Sequence, residues 1–94
     1  MRTIERATAF KRDYKRVKAT PRYSKDIDGL LSAIVERLAT DHTVPLRNRD
    51  HELSGHWHGY RECHLKPDLL LIYRKPDAGT LRLARLGSHS ELFE

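Results

Sequence analysis

Three histidines, His51, His64 and His89, share the second half of a 94-residue chain with Asp68 and Arg85. These residue types suffice for acid–base chemistry on a phosphodiester. Internal cleavage of RNA needs a base to take the ribose 2′-hydroxyl proton and an acid to protonate the leaving 5′-oxygen. It also needs a cation beside the phosphoryl oxygens. Histidine, with an ordinary pKa of about 6.5, serves either proton role near neutral pH. An arginine can hold the phosphate through two parallel hydrogen bonds. Standing apart at strand ends, the same histidines would be ordinary surface residues, so their convergence is what matters.

Two other chemistries compete for these side chains. His56 and His58 lie two apart and would face the same way on a strand. With His51 or His64 as a third ligand they would make a zinc site. That spacing is a weak signal, because histidines flanking Trp57 are as readily exposed, and the preferred reading has no metal and no cofactor. The single cysteine, Cys63, excludes an internal disulfide framework and a cysteine-based zinc site. Strand alternation turns neighbouring His64 to the opposite face, so a thiol nucleophile would lack its base, and Cys63 is expected in the core.

The charge is uneven. Eighteen Lys and Arg against thirteen Asp and Glu give +5 overall. Residues 1–25 hold nine bases and two acids, whereas residues 51–94 balance at six of each. Such a basic half suggests a surface for a polyanion, with a solvated helix face as the plainer alternative. Apolar residues make up 38% and charged residues 33%, too rich in core formers and too poor in Pro and Gly for a disordered chain. The longest apolar run, Leu69 to Tyr73, falls far short of the roughly 18 residues of a membrane helix. With no secretory leader, a cytoplasmic protein of one domain, residues 1–94, is expected, with no membrane association.

The elements that must position the candidates follow from periodicity. Residues 2–6 are compatible with an edge strand. Thr8 is expected to cap a helix running to about Lys18, in which Phe10, Tyr14 and Val17 form one apolar stripe. Lys11, Arg12, Lys15, Arg16 and Lys18 fill much of the rest. Pro21 ends that helix. Ser24 is expected to cap a second, ending near Ala39 or Thr40, with Leu30, Leu31, Ile34, Val35 and Leu38 on its apolar face. Segment 41–52 is polar, contains Pro45 and reads as a loop.

Tyr60 to Leu65, Leu69 to Lys75 and Thr80 to Leu86 read as strands joined by the turn residues Pro67-Asp68 and Pro76-Asp77-Ala78-Gly79. Leu69 to Tyr73 is apolar on both faces, as in a central strand covered on each side. In the third strand, alternation puts Leu81, Leu83 and Arg85 on one face and Arg82, Ala84 and Leu86 on the other. The order β-α-α-β-β-β describes a compact α+β domain, two N-terminal helices packed on a mainly antiparallel sheet. His64 and Asp68 would then flank one turn, with Arg85 and His89 returning to the same rim and His51 reaching it from the loop.

The stretch from His51 through Gly55, Trp57, Gly59-Tyr60-Arg61-Glu62, His64 and Pro67-Asp68 to Leu69–Tyr73 resembles the YafQ branch of the RelE/ParE-type toxins. The ending Arg85-Leu86-Gly87-Ser88-His89-Ser90-Glu91-Leu92-Phe93 resembles the same branch. Element order agrees along the full chain, and the match is strong across 51–93. The resemblance implies a RelE-like fold and a toxin of a toxin–antitoxin pair that cleaves mRNA on the ribosome without a metal. Its partners would be the ribosome, mRNA and a cognate antitoxin.

Family active-site positions carry over to His51, His64, Asp68, Arg85, His89 and Phe93. Where the family often has Trp after the Asp, this chain has Leu69. Arg85 is expected to neutralise the scissile phosphate. Asp68 and His89 are the preferred proton-transfer pair, with His51 and His64 orienting or stabilising charge. Phe93 is either a platform for a base or an anchor for the chain end. Lys11, Arg12, Lys15, Arg16 and Lys18 are expected to bind RNA phosphates. A ParE-like toxin that binds gyrase or nucleic acid without catalysis is the alternative, and a histidine-based metal-binding domain a more distant one. A pure binder makes no use of the His64, Asp68, Arg85 and His89 set, and metal content with a chelator test separates the metal-binding reading.

Overall fold

The computed structural model describes residues 1–93. A strand β1 (Thr3–Arg6) leads into helices α1 (Thr8–Lys18), α2 (Pro21–Ser24) and α3 (Ile27–Ala39). Four strands follow: β2 (His51–Glu52), β3 (Arg61–Lys66), β4 (Leu69–Arg74) and β5 (Thr80–Gly87). The short helix α4 (His89–Phe93) comes last. Single 3-10 turns occupy Leu46–Asn48 and Gly55–Trp57. The sheet order is β1-β5-β4-β3-β2, antiparallel except where β1 runs parallel to β5.

The expected α+β architecture is present, with the strands bearing apolar runs at its centre. Phe10 and Val17 of α1 and Ile27, Ile34 and Leu38 of α3 pack against Cys63, Leu65, Leu69, Leu71, Tyr73, Leu81, Leu83 and Leu86 of the sheet. The sheet's other face, called the open face below, carries a smaller cluster of Leu70, Ile72, Ala84 and Leu92. Leu53, Trp57, Tyr60 and Phe93 pack around it. Residues Leu69 to Tyr73 are therefore buried from both sides, which accounts for a strand without alternation.

The details depart from the expectations at five points, the first four in the caps and at the ends of elements. Thr8 does not cap α1. The N–H of Ala7 is still bonded to the carbonyl of Leu83, so the chain leaves the sheet and starts the helix at once, with Ala7 in the cap position. Ser24 does not cap the next long helix either. Pro21, pre-set for a first helical position, nucleates α2, Ser24 closes it, and Asp26 precedes α3. The expected loop 41–52 ends in β2, whose two residues pair with β3. A C-terminal helix, α4, carries His89 and Phe93.

The facing of β5 also differs. The register shifts between Ile72 and Tyr73, so that Tyr73 pairs with Leu83 and Ile72 with Arg85, leaving Ala84 as an extra residue. This β-bulge interrupts alternation. Leu81, Leu83 and Leu86 all join the helix-side core, while Ala84 joins the cluster on the open face. Arg85, paired with Ile72, is thereby carried onto the open face instead of sharing one with Leu83.

Candidate active site

One rung of the ladder assembles the centre of the site. Reading across four strands, His51 pairs with Glu62, Glu62 with Ile72, and Ile72 with Arg85. Residues opposite one another share a face, so His51, Glu62 and Arg85 all stand on the open face. His64, paired with Leu70, stands on that face two rungs away.

Glu62 joins the two histidines. Its Oε1 lies 3.3 Å from His51 Nε2 and 3.6 Å from His64 Nε2. The carboxylate is buried (7% exposed), His64 is mostly covered, and His51 is half exposed (52%). Glu62 Oε2 and His64 Nδ1 are buried without a hydrogen-bond partner among the described residues. Such atoms are costly to leave unpaired in a folded chain. His51 Nδ1 lies 2.8 Å from the carbonyl of Arg49, a residue in the left-handed conformation (φ 51°). Since a carbonyl only accepts, Nδ1 carries the proton there. The basic nitrogen of neutral His51 is therefore Nε2, beside Glu62.

Two contacts hold this arrangement from behind. Asn48 donates its side-chain N–H to the carbonyl of His64 at 2.6 Å. Asp50, next to His51, accepts from the Tyr73 hydroxyl at 2.6 Å and from Arg61 Nε at 3.3 Å. The Tyr73 phenol is pushed far above its ordinary value, first by burial and then by its bond to Asp50. It therefore stays a donor. Both contacts bind the polar segment before β2 to the sheet.

At the other end of the rung, Asp13 of α1 grips Arg85 through Nε (2.6 Å) and Nη2 (3.2 Å). Burial alone would raise the Asp13 pKa. Bonds from Arg85, the Leu86 N–H and Arg16 outweigh that and hold it below the usual carboxylate value. In α4, the His89 ring lies 4.9 Å from the Phe93 ring, centroid to centroid. His89 is exposed, while half-buried Phe93 leans on the open-face cluster and so anchors the chain end while touching the histidine.

Asp68 is placed differently. It stands in the turn between β3 and β4, and its carboxylate is turned to α2, where it accepts from Tyr23 (2.8 Å) and Arg22 (2.7 Å). The Tyr23 bond in particular lowers its pKa, so Asp68 is ionised at neutral pH. Of the basic residues on α1, Lys11, Arg12 and Lys15 are exposed and make no ion pair among the described residues. Arg16 is paired with Asp13 and Glu91, and Lys18 with Asp28.

The weaker sequence candidates fall away from this centre. His56 and His58 lie in and just after a 3-10 turn, not on a strand, so the shared face expected for them does not arise. No three His, Cys, Asp or Glu side chains among the described residues are grouped as metal ligands. Cys63 is fully buried, and burial pushes its thiol up to about 12, which leaves it inert. No helix among the described residues is long and apolar enough to cross a membrane.

Sequence reasoning missed Glu62 and Asp13 as site residues. For Glu62 the available signal was an acid two positions before His64 on a strand, hence on its face. For Asp13 it was a lone acid at position i−3 to Arg16 in an otherwise cationic helix.

Comparison with known proteins identifies the family and the fold. Residues 2–94 match the family model described as the bacterial toxin of type II toxin–antitoxin system, YafQ. The chain is 35% identical over 92 residues to the mRNA interferase toxin YafQ of Escherichia coli K12, covering 98% of this chain and 96% of that one. The crystal structure of YafQ from E. coli BL21(DE3) superposes with a TM-score of 0.85 at 32% identity, covering all of both chains. YafQ in the E. coli DinJ–YafQ complex gives 0.83 at 33%, with the same coverage. A family model matched over residues 2–94, a relative 35% identical along nearly its whole length and a shared five-stranded fold place this chain in the YafQ family of type II toxin–antitoxin toxins.

Proposed function

We propose that this protein is a single-domain, ribosome-dependent endoribonuclease that cleaves translated mRNA in the cytoplasm by attack of a ribose 2′-hydroxyl on the adjacent phosphate. The carrying observation is the rung on which His51, Glu62 and Arg85 face the same way, with His64 against Glu62. Arg85 retains N–H donors beyond the two given to Asp13, and these neutralise phosphoryl oxygens. Neutral His51 offers Nε2 as the base. Once protonated, it donates to Glu62, which stabilises the charge it has gained. His89, exposed on α4, is the acid that protonates the leaving 5′-oxygen. Phe93 fixes its ring and presents an aromatic surface at the same edge.

Ionised Asp68 is a weak base held by Arg22 and Tyr23, so its contribution is to the charge and shape of the rim. Both proton transfers are met by protein side chains, and the reading calls on no metal. Lys11, Arg12 and Lys15, unpaired among the described residues, bind ribosomal RNA phosphates, joined by Arg16 and Lys18 to the extent that their carboxylate partners release them. The relative crystallised with DinJ supports a cognate antitoxin as partner. An acidic antitoxin segment across the basic helices or near His51 and His89 would cover the site.

The test is translation of a defined mRNA with and without ribosomes, in buffer with and without a chelator, mapping cuts at nucleotide resolution. Cuts confined to ribosome-bound message at A-site codons, insensitive to the chelator, are expected. Equal cutting of free RNA, or none, overturns the reading. The product of an adjacent reading frame that neither copurifies with this protein nor relieves growth inhibition would remove the antitoxin part alone.

A further inference from the structure

In the cationic helix α1, the one acid, Asp13, points inward and is almost fully buried (3% exposed). Strand β1 pairs with β5 only as far as Leu83, so among the described residues the edge of β5 beyond that point has no strand beside it. Asp13 fills the gap. Its Oδ2 accepts the Leu86 N–H at 2.9 Å, in the place of a ladder partner, and also Arg85 Nε at 2.6 Å. Its Oδ1 accepts Arg85 Nη2 at 3.2 Å and Arg16 Nη1 at 2.9 Å.

Arg16 then donates through Nη2 to the Leu86 carbonyl at 3.1 Å and pairs through Nε with Glu91 of α4 at 3.2 Å. Glu91 in turn accepts the Ser88 N–H at 2.8 Å. Gly87 leaves room for this crossing, because a Cβ there would lie 2.9 Å from both Arg16 Nη2 and Glu91 Oε1. One buried carboxylate thus fixes the β5 edge, the Arg85 guanidinium and, through Arg16, the helix that bears His89.

We infer that Asp13 is a positioning residue that orients the Arg85 guanidinium for phosphate, a role resting on the reading of Arg85 given above. An arginine on the open face of a sheet explores many rotamers. The two-point grip of Asp13 consumes Nε and one Nη2 hydrogen, leaving both Nη1 hydrogens and the second Nη2 hydrogen directed away from α1. The donor fork is set before the substrate arrives, and a displacement of about 1 Å at a reacting centre costs on the order of 100-fold in rate.

The test uses Asp13→Asn, which keeps the shape and an acceptor for Leu86 N–H, together with Arg85→Ala and the double variant. Single-turnover cleavage at saturating ribosomes is measured beside ribosome affinity and the ¹⁵N–¹H spectrum of the Arg85 guanidinium. D13N is expected to lower the rate about 100-fold with affinity unchanged, to collapse the resolved Arg85 side-chain signals, and to add nothing to R85A. Asp13→Glu keeps the charge on an arm one methylene longer. It is expected to fall between wild type and D13N, and it carries the test if D13N does not fold.

Normal cleavage by folded D13N or D13E with shifted Arg85 signals overturns the inference, as does a loss that adds in full to that of R85A. Normal cleavage by R85A overturns the role of Arg85, and with it that of Asp13. That outcome is told apart from failure of Asp13 alone, in which R85A is inactive and D13N is not.

Discussion

Glu62 stands between two imidazoles, with one carboxylate oxygen 3.3 Å from His51 and 3.6 Å from His64 and the other oxygen buried and unpaired among the described residues. Gln in its place keeps the size but removes the charge that receives a protonated His51. His51→Ala is expected to lower cleavage about 100-fold or more, as for loss of a general acid or base. Glu62→Gln is expected to cost at least about 10-fold, since the base remains and only its partner is lost. His56→Ala, in a 3-10 turn and not on the rung, should cleave as wild type. Single-turnover rates on ribosome-bound message decide among the three, and an unimpaired H51A would remove His51 from the mechanism.

Asp68 makes a different prediction, about pH. With its pKa lowered by Tyr23 and Arg22, it is already ionised below the ordinary carboxylate value and does not titrate near neutrality. Asp68→Asn should therefore shift the rate by the same factor at every pH from about 5 to 9 and leave the shape of the profile to the histidines. Disappearance of a limb of that profile in D68N would make Asp68 a titrating catalytic group.

At the scale of elements, α4 is a small attachment to the sheet. Five residues long, it is held on the sheet by Leu92 and Phe93, by the Leu92 N–H bonded to Ser88, and by the Arg16–Glu91 pair. Leu71 instead lies in the middle strand with no exposure, and truncating it to Ala should cost about 2–5 kcal/mol of global stability. Leu92→Ala is expected to behave otherwise. The unfolding midpoint should move less than in L71A, exchange at the α4 amides should quicken, and cleavage should fall at least about 10-fold, because His89 loses its support. Denaturant titration with hydrogen exchange separates the two. A large global loss in L92A with unchanged α4 exchange would show α4 to be integral to the core.

For the whole molecule, the division of labour runs across the sheet. The helix-side core carries most of the buried apolar surface, and the open face carries the site. The basic surface of α1 adds an approach to nucleic acid. Replacing Lys11, Arg12 and Lys15 together by Ala should weaken ribosome association and flatten its salt dependence. If each contacts one phosphate, the log–log slope falls by about 2 to 3. The single-turnover rate on bound ribosomes should stay near wild type. An unchanged slope would make this surface a solvated face.

Local pattern was enough to read α1, the long apolar helix and the three central strands, because burial against a neighbouring layer imposes a period that survives in the sequence. It also yielded every candidate side chain on the rung except Glu62. The caps were misread at Thr8 and Ser24 because a sheet bond at Ala7 and a proline at position 21 overrode side-chain preference. Strand β2 left no trace in composition, being two polar residues held only by pairing with β3. The face of Arg85 depended on one extra residue, Ala84, which alternation cannot foresee. Asp13 and Arg85, and Asp68 and Tyr23, are partners across 72 and 45 residues of chain. Residue types and their spacing along the chain determined which groups could do chemistry. Which carboxylate faces the histidines and which arginine is held ready were decided only by tertiary structure, since hydrogen bonding acts over a few ångströms in space whatever the distance along the sequence.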